Sequence, residues 1–309
     1  MVKRRYENLD GVRNEHTFAD MRKWRAERKA KVKDLTTPLP QAERKQTAEV
    51  RNNRSALSYT WIGHSTFFIQ LDGLNILTDP VWAGRMGFQR RLTAPGWAIS
   101  ELPDIDVVVI SHGHYDHLDF PTLARLPGQP AYFVPAGLGA LFRRKGYWQV
   151  TEANWWECFE HQGIRLHFVP AQHWTRRSLW DMNTSHWGGW VLEGQRETLY
   201  FAGDTGYFRG FREIGSRFTI DTVFMPIGAY EPEWFMRISH INPEDAVQAY
   251  LDLDSREAVF VPMHYGAYRL ADDTGPEALE RLYSAWAQRQ LPDQRLRVLA
   301  IGETCFKRA

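Results

Sequence analysis

Four short apolar runs in this chain each lead into a histidine or an aspartate: DVVVIS before His112, IRLHFVPAQ before His173, ETLYFAG before Asp204 and AVFVPM before His264. Runs this short, rich in Val, Ile, Phe and Tyr, read as strands, and continuous apolar character marks strands covered on both faces. Polar, metal-seeking residues at the C-terminal ends of several such strands place those ends together along one edge of the sheets. Further strands of the same kind are expected at 131–136, 188–194, 221–227 and 296–302, and TWIGHSTFFIQL and LNILTDP, on either side of Asp72-Gly73, read as a hairpin of two largely buried strands. Helices are expected near 121–126, 137–145, 243–251 and 276–289, the third opened by Asn242 as cap and Pro243 as first helical residue. Strands interleaved with helices predict a layered α/β architecture with two sheets inside flanking helices.

With 43% hydrophobic residues among 309 and no Gly/Ser- or Pro-rich linker, the chain can bury one large core. The formal net charge of +1 lacks the surplus of a polyanion binder, so no nucleic-acid partner is expected. Charge is unevenly spread: residues 1–55 hold 15 Lys/Arg against 8 Asp/Glu. This stretch is expected to be a basic N-terminal extension, with 56–309 as the main domain. Within it Phe18, Met21 and Trp24 recur at helical spacing among basic residues, predicting a short amphipathic helix that packs on the main domain or lies on an anionic lipid surface. Cys158 and Cys305, too few for a disulfide scaffold, are expected to be buried spectators in a reducing compartment. The opening is basic without a following apolar stretch, and nowhere do 18 apolar residues run together, so a cytoplasmic or peripheral location is expected.

The densest chemistry is SHGHYDHLD, residues 111–119, which puts His112, His114, Asp116 and His117 within six residues. Neutral imidazoles and carboxylates suit borderline divalent metals, and a loop leaving a rigid strand can aim several of them at one point. Four ligands satisfy one ion, so His173, Asp204 and His264 imply a second. His64 and Asp79, on the first strands, are placed to orient ligands through outer hydrogen bonds. Gly203, Gly206 and Gly228 lie in turns beside the site, where a missing Cβ permits close backbone approach. His16, His161, His167 and His186 carry no such placement, and neither a phosphate loop nor a dinucleotide fingerprint is present.

The pattern His-x-His-x-Asp-His, followed by His, Asp and His and preceded by Asp79, resembles the metallo-β-lactamase superfamily, whose fold is an αββα sandwich of two mixed sheets flanked by helices, with a dinuclear site along one edge. WIGHST (61–66), LTDPVW (77–82), ISHGHYDHLD (110–119), PAQHW (170–174), FAGDTGYF (201–208), PIGAYEPEWFM (226–236) and SHINPEDAV (239–247) narrow the resemblance to N-acyl phosphatidylethanolamine-hydrolysing phospholipase D. That resemblance implies two Zn2+ per chain, one held by His112, His114 and His173, the other by Asp116, His117 and His264, with Asp204 bridging; iron or manganese would suit the same donors. It also implies that Tyr115 and His240 contact substrate, that Asp116, Asp204 and His240 serve catalysis, and that the partners are a phospholipid, a membrane surface and a second copy of the chain.

The expected reaction is hydrolysis of a phosphodiester: hydroxide generated between the two ions attacks phosphorus while the ions neutralise the non-bridging oxygens. The products are phosphatidic acid and an N-acylethanolamine. The 13 Trp, 12 Tyr and 17 Phe are numerous between the later ligands, where Trp174, Trp180, Trp187, Trp190, Phe208, Tyr230 and Phe235 line an acyl channel or pack the core. The competing readings are hydrolysis of a lactone, a sugar-phosphate lactone or another phosphodiester on the same fold, a metal-dependent sensor without turnover, and a di-iron oxidoreductase, for which no flavin domain is visible.

Overall fold

The computed structural model describes residues 4–31, 33–255 and 257–307, so the first three residues of the basic opening lie outside it. In chain order the strands are β1 (Ser58–Gly63), β2 (Thr66–Leu71), β3 (Leu74–Thr78), a small hairpin of β4 (Arg85–Met86) and β5 (Gln89–Arg90), then β6 (Ile105–Val109), β7 (Gly128–Pro135) and β8 (Val150–Ala153). They continue with β9 (Cys158–His161), β10 (Ile164–Val169), β11 (Gly189–Glu193), β12 (Thr198–Phe201), β13 (Thr222–Pro226), β14 (Val259–Met263) and β15 (Thr304–Phe306). The helices are α1 (Phe18–Ala30), α2 (Thr47–Asn52), α3 (Phe120–Leu123), α4 (Gly139–Arg144), α5 (Gly210–Arg217), α6 (Glu233–Met236), α7 (Pro243–Asp252) and α8 (Gly275–Gln288).

Among the described residues the two main sheets run β15-β1-β2-β3-β6-β7-β8 and β14-β13-β12-β11-β10-β9. Both are mixed: β3, β6, β7 and β8 are parallel neighbours in the first, and β12, β13 and β14 in the second. Alternation along the strands explains the layers. Phe67 and Ile69 of β2 and Val107 and Val109 of β6 join Trp190, Tyr200 and Phe224 of the second sheet in one core, with the Phe67 and Phe224 rings 4.5 Å apart. Phe68, Val108 and Ile110 point the other way, onto Val50 of α2, Leu123 of α3 and Phe142 of α4. On the far side Tyr250 of α7 and Trp286 of α8 pack against Phe260 of β14. The architecture is the expected αββα sandwich.

Three local expectations are corrected. TWIGHSTFFIQL is two strands, because Gly63 and His64 take φ of 126° and 57° and turn the chain between β1 and β2; only the β2–β3 connection is the expected hairpin, with both Asp72 and Gly73 at positive φ. The run 296–302 makes lone bridges from Leu296 and Ile301 instead of a strand: its apolar residues pack, and Gly302 crosses Gly96 too closely for a side chain at Gly96, whose Cβ would lie 2.3 Å from the Gly302 Cα. Cys158 is exposed and Cys305 half-buried instead of buried, because both stand on the outermost strands of their sheets.

Helix α1 is capped by Thr17, whose side chain accepts from the Asp20 amide while the Asp20 carboxylate accepts from the Thr17 amide. Of the expected apolar stripe, Phe18 is 78% exposed, whereas Trp24 donates from its indole to Asp272 at 2.8 Å and tilts against Phe235. The basic residues are not all solvated: Arg28 pairs with buried Asp272, and Lys33 reaches Glu231 and Glu277 at 2.8 Å. No helix among the described residues is long and apolar enough to cross a membrane.

Candidate metal centre

The strand ends meet where the sequence placed them. After β6 the chain enters the loop 111–119, outside regular secondary structure, and its course is held by Arg177, whose guanidinium donates to the carbonyls of Gly113 (2.8 Å), Leu118 (3.0 Å) and His114 (3.4 Å) and stacks 4.0 Å from the Tyr115 ring centre. Three carbonyls converging on one cation add to the loop's own turn, in which the His117 and Leu118 amides donate to the His114 carbonyl.

His112, His114 and His173 form one group: Nδ1 of His114 lies 2.9 Å from Nε2 of His112 and 3.2 Å from Nε2 of His173. Asp116, His117, His264 and His64 form a second, with Oδ2 of Asp116 at 3.0 Å from His64, 3.4 Å from His117 and 3.7 Å from His264. Asp204 stands between them. Its Oδ2 is 4.0 Å from His112, 3.9 Å from His173 and 3.2 Å from His117, and its Oδ1 is 3.0 Å from His264.

The far nitrogens of three of the rings are fixed from behind, as expected for metal ligands, whereas Nε2 of His114 and Nδ1 of His264 have no such partner. Nδ1 of His112 meets Ser111 Oγ at 2.9 Å, Nδ1 of His173 meets the Ser239 carbonyl at 2.8 Å, and Nδ1 of His117 meets Oδ2 of Asp79 at 2.6 Å. Asp79 is fully buried and also accepts from the Ser111 amide at 2.7 Å. His64, Asp79 and His264 take φ of 57°, 35° and 64°, a backbone region that non-glycine residues seldom occupy and that clusters at functional sites. Gly203 shares that region with φ of 64° and is required for a further reason: a Cβ there would lie 2.6 Å from that of Ser111.

Burial drives His112 and His173 well below the ordinary imidazole range and His114 down to about 4, so their lone pairs are free. Burial pushes His117 and His264 the same way, but the carboxylates of Asp204 and Asp116 override it and raise His117 well above its usual value and His264 to about 9. Asp116 and Asp204 are held well below the carboxylate range in return, chiefly by His117, against the opposing effect of burial.

The residues fit divalent cations. Nε2 of His117, Nε2 of His264 and Oδ1 of Asp204 are buried without a well-aligned hydrogen bond, even though the last two lie 3.0 Å apart, and such orphaned groups cost about 1–3 kcal/mol each unless something satisfies them. Ligand atoms of His112, His114 and His173, and of His64, Asp116, His117 and His264, lie within 4.8 Å of one another in their groups. A cation at each answers both the orphaned atoms and the protons that the carboxylates otherwise draw onto His117 and His264.

Of the two residues expected to touch substrate, His240 follows α6 and faces the centre, Nδ1 lying 3.8 Å from Asp204. Tyr115 is 55% exposed, its hydroxyl donating to the Arg177 carbonyl at 3.0 Å. Beside the centre lies a cavity of about 840 Å³ that reaches His173 and His240. Trp174 and Phe235 line it, whereas Trp187, Trp190, Phe208 and Tyr230 belong to the core and Trp180 is 85% exposed.

Sequence reasoning missed Arg177 and Asn8, whose partners are main-chain atoms far along the chain. Asn8 is buried: its amide donates to the His173 carbonyl and accepts from the His173 amide, both at 2.9 Å, and accepts from the Trp187 indole at 2.9 Å. His16, left without a role, stacks on Phe235 with ring centres 3.7 Å apart.

Comparison with known proteins agrees with this geometry. The family described as beta-lactamase superfamily domain matches residues 74–265. An uncharacterized protein of Mycobacterium tuberculosis is 40% identical over 246 residues, covering 76% of this chain and 65% of its own length, so the chain spans about two thirds of that relative. N-acyl-phosphatidylethanolamine-hydrolyzing phospholipase D 1 of Caenorhabditis elegans is 38% identical over 257 residues, 77% of this chain and 70% of its own. Igni18, a metallo hydrolase of Ignicoccus hospitalis, shares the fold with a TM-score of 0.61 at 23% identity, over 82% of this chain and 100% of its own. The chain belongs to the β-lactamase superfamily and has the metallo-β-lactamase fold.

Proposed function

We propose that this protein cleaves N-acyl phosphatidylethanolamine as a phospholipase D, using two Zn2+ ions. The observation that carries the dinuclear reading is the position of Asp204, one carboxylate within 4.0 Å of both histidine groups: Oδ2 lies 3.2 Å from His117, 3.9 Å from His173 and 4.0 Å from His112, and Oδ1 lies 3.0 Å from His264. In this reading His112, His114 and His173 would hold one ion, Asp116, His117 and His264 the other, and Asp204 would serve both. The lipid specificity is supported by 38% identity to the C. elegans phospholipase D and by a large cavity ending at the centre.

When bound, the ions supply an acidified water and neutralise the phosphodiester's non-bridging oxygens. The protein supplies the geometry. Asp116, held ionised and facing the centre, accepts the proton released as water adds to phosphorus and returns it to the departing ethanolamide oxygen. His240 is kept neutral, burial pushing it down to about 4, so at neutral pH it can hydrogen-bond a phosphate oxygen without adding a charge. Cleavage of the bond between phosphorus and the ethanolamide oxygen leaves phosphatidic acid and an N-acylethanolamine. Leu179 and Trp180, 78% and 85% exposed, stand on the loop that carries the cavity-lining Arg176 and Met182, and we place the membrane surface at this apolar tip.

The direct test is release of N-acylethanolamine from N-acyl phosphatidylethanolamine in mixed micelles, lost on chelation and restored by zinc. No release from metal-loaded protein would return the substrate to the other esters this fold accepts. His240→Ala should lower kcat by about 10²-fold, the usual scale for one positioned polar group, with metal content by elemental analysis unchanged. Loss of metal from that variant would show His240 to be a ligand.

A further inference from the structure

We propose that the N-terminal segment, residues 6–24, is the specificity-determining wall of the substrate cavity, against which a single unbranched acyl chain lies. The chain's identity as the N-acyl group rests on the phospholipase D reading; the wall itself rests on the structure.

The segment is pinned at the centre, not merely laid near it. Asn8 makes two buried hydrogen bonds to the backbone of His173, the Tyr6 amide donates to the Asn183 carbonyl at 2.9 Å, and Asn14 donates to Ser239 Oγ at 3.2 Å, one residue before His240. His16 then stacks on Phe235. Anchored on the loops that carry His173 and His240, the segment encloses the cavity of about 840 Å³ between itself and α6. That volume lies within the roughly 300–1,000 Å³ of small-molecule sites.

The composition of the walls points to the ligand's shape. Val12 and Met21 face the cavity from the segment and Met182 and Met236 line it elsewhere, among polar and charged side chains that include Arg13, Asn14, Glu15 and Arg176, with His173 and His240 at the end toward the centre. Three of the chain's 7 methionines therefore border one cavity. Thioether side chains are flexible and re-pack around a partner without a fixed shape, which suits an alkyl chain with many rotamers better than a rigid ring. An amphiphile enters with its polar group at His240 and its chain along Met21.

The test fills the wall. In metal-loaded Met21→Trp protein the ratio of kcat/KM for N-palmitoyl over N-butanoyl phosphatidylethanolamine should fall about tenfold or more, the effect of roughly 1–3 kcal/mol of overpacking. Binding of 11-(dansylamino)undecanoic acid, followed by fluorescence, should weaken by a similar factor. Val12→Phe should act in the same direction and serves if Met21→Trp does not fold. An unchanged chain-length ratio together with unchanged dansyl binding in the folded variants overturns the proposal. If the wild type cleaves neither lipid yet binds the dansyl probe, and Met21→Trp weakens that binding, the phospholipase D reading fails while the wall stands. If the wild type does not bind the probe, the proposal is overturned.

Discussion

Asp204→Asn should bind less metal than the wild type, and should turn over at least about 10³-fold more slowly, since metal charge stabilisation is worth several kcal/mol of barrier. Both carboxylate oxygens are in use: Oδ2 faces His112, His173 and His117, and Oδ1 faces His264. An asparagine keeps one oxygen and turns an N–H donor toward the other group, where an acceptor lone pair is needed. The fold should survive, because asparagine keeps the size of the side chain, and its neutrality removes the largest of the influences that raise His117 and His264, while Asp116 still faces both. Elemental analysis and kcat together check this, and a variant with undiminished metal and full activity would remove Asp204 from the metal site.

Asp79→Ala should both destabilise the protein and weaken its hold on metal. The carboxylate accepts from the amide and hydroxyl of Ser111 and meets Nδ1 of His117, all away from solvent. Truncation strands these donors, so a loss of about 3–5 kcal/mol is expected, read as a lower urea midpoint for the metal-free protein. Freed from Asp79, the His117 ring no longer has its outer nitrogen fixed, and metal affinity should drop about 10- to 100-fold in competition with a chelator. Unchanged affinity in a destabilised variant would make Asp79 a packing residue only.

The centre was readable in the sequence because its donors announce themselves: imidazoles and carboxylates at strand ends are an uncommon use of residues that otherwise favour surfaces. The sandwich was readable because β6, β12 and β14 are largely apolar along both faces, while β10 alternates, its Arg165 and His167 turned from the core. The strands β8 and β9 escaped notice because they lie at or near sheet edges and are half-exposed, so neither apolar continuity nor alternation marks them. The turn at His64 escaped because positive φ at a histidine has no sequence signal. Asn8 and Arg177 escaped for a related reason: they act on carbonyls and amides, which every residue possesses, so nothing in the partner's identity betrays the contact.

The site draws its donors from both halves of the sandwich. His112, His114, Asp116 and His117 follow β6 of the first sheet; His173, Asp204 and His264 follow β10, β12 and β14 of the second. Neither half alone can present a full set. Ions held there would act as rivets through the seam, so that prying the layers apart means breaking coordination. The assembled centre is therefore a certificate of completed folding: it forms only once stretches of chain remote in sequence have come together, the kind of long-range closure that arrives late.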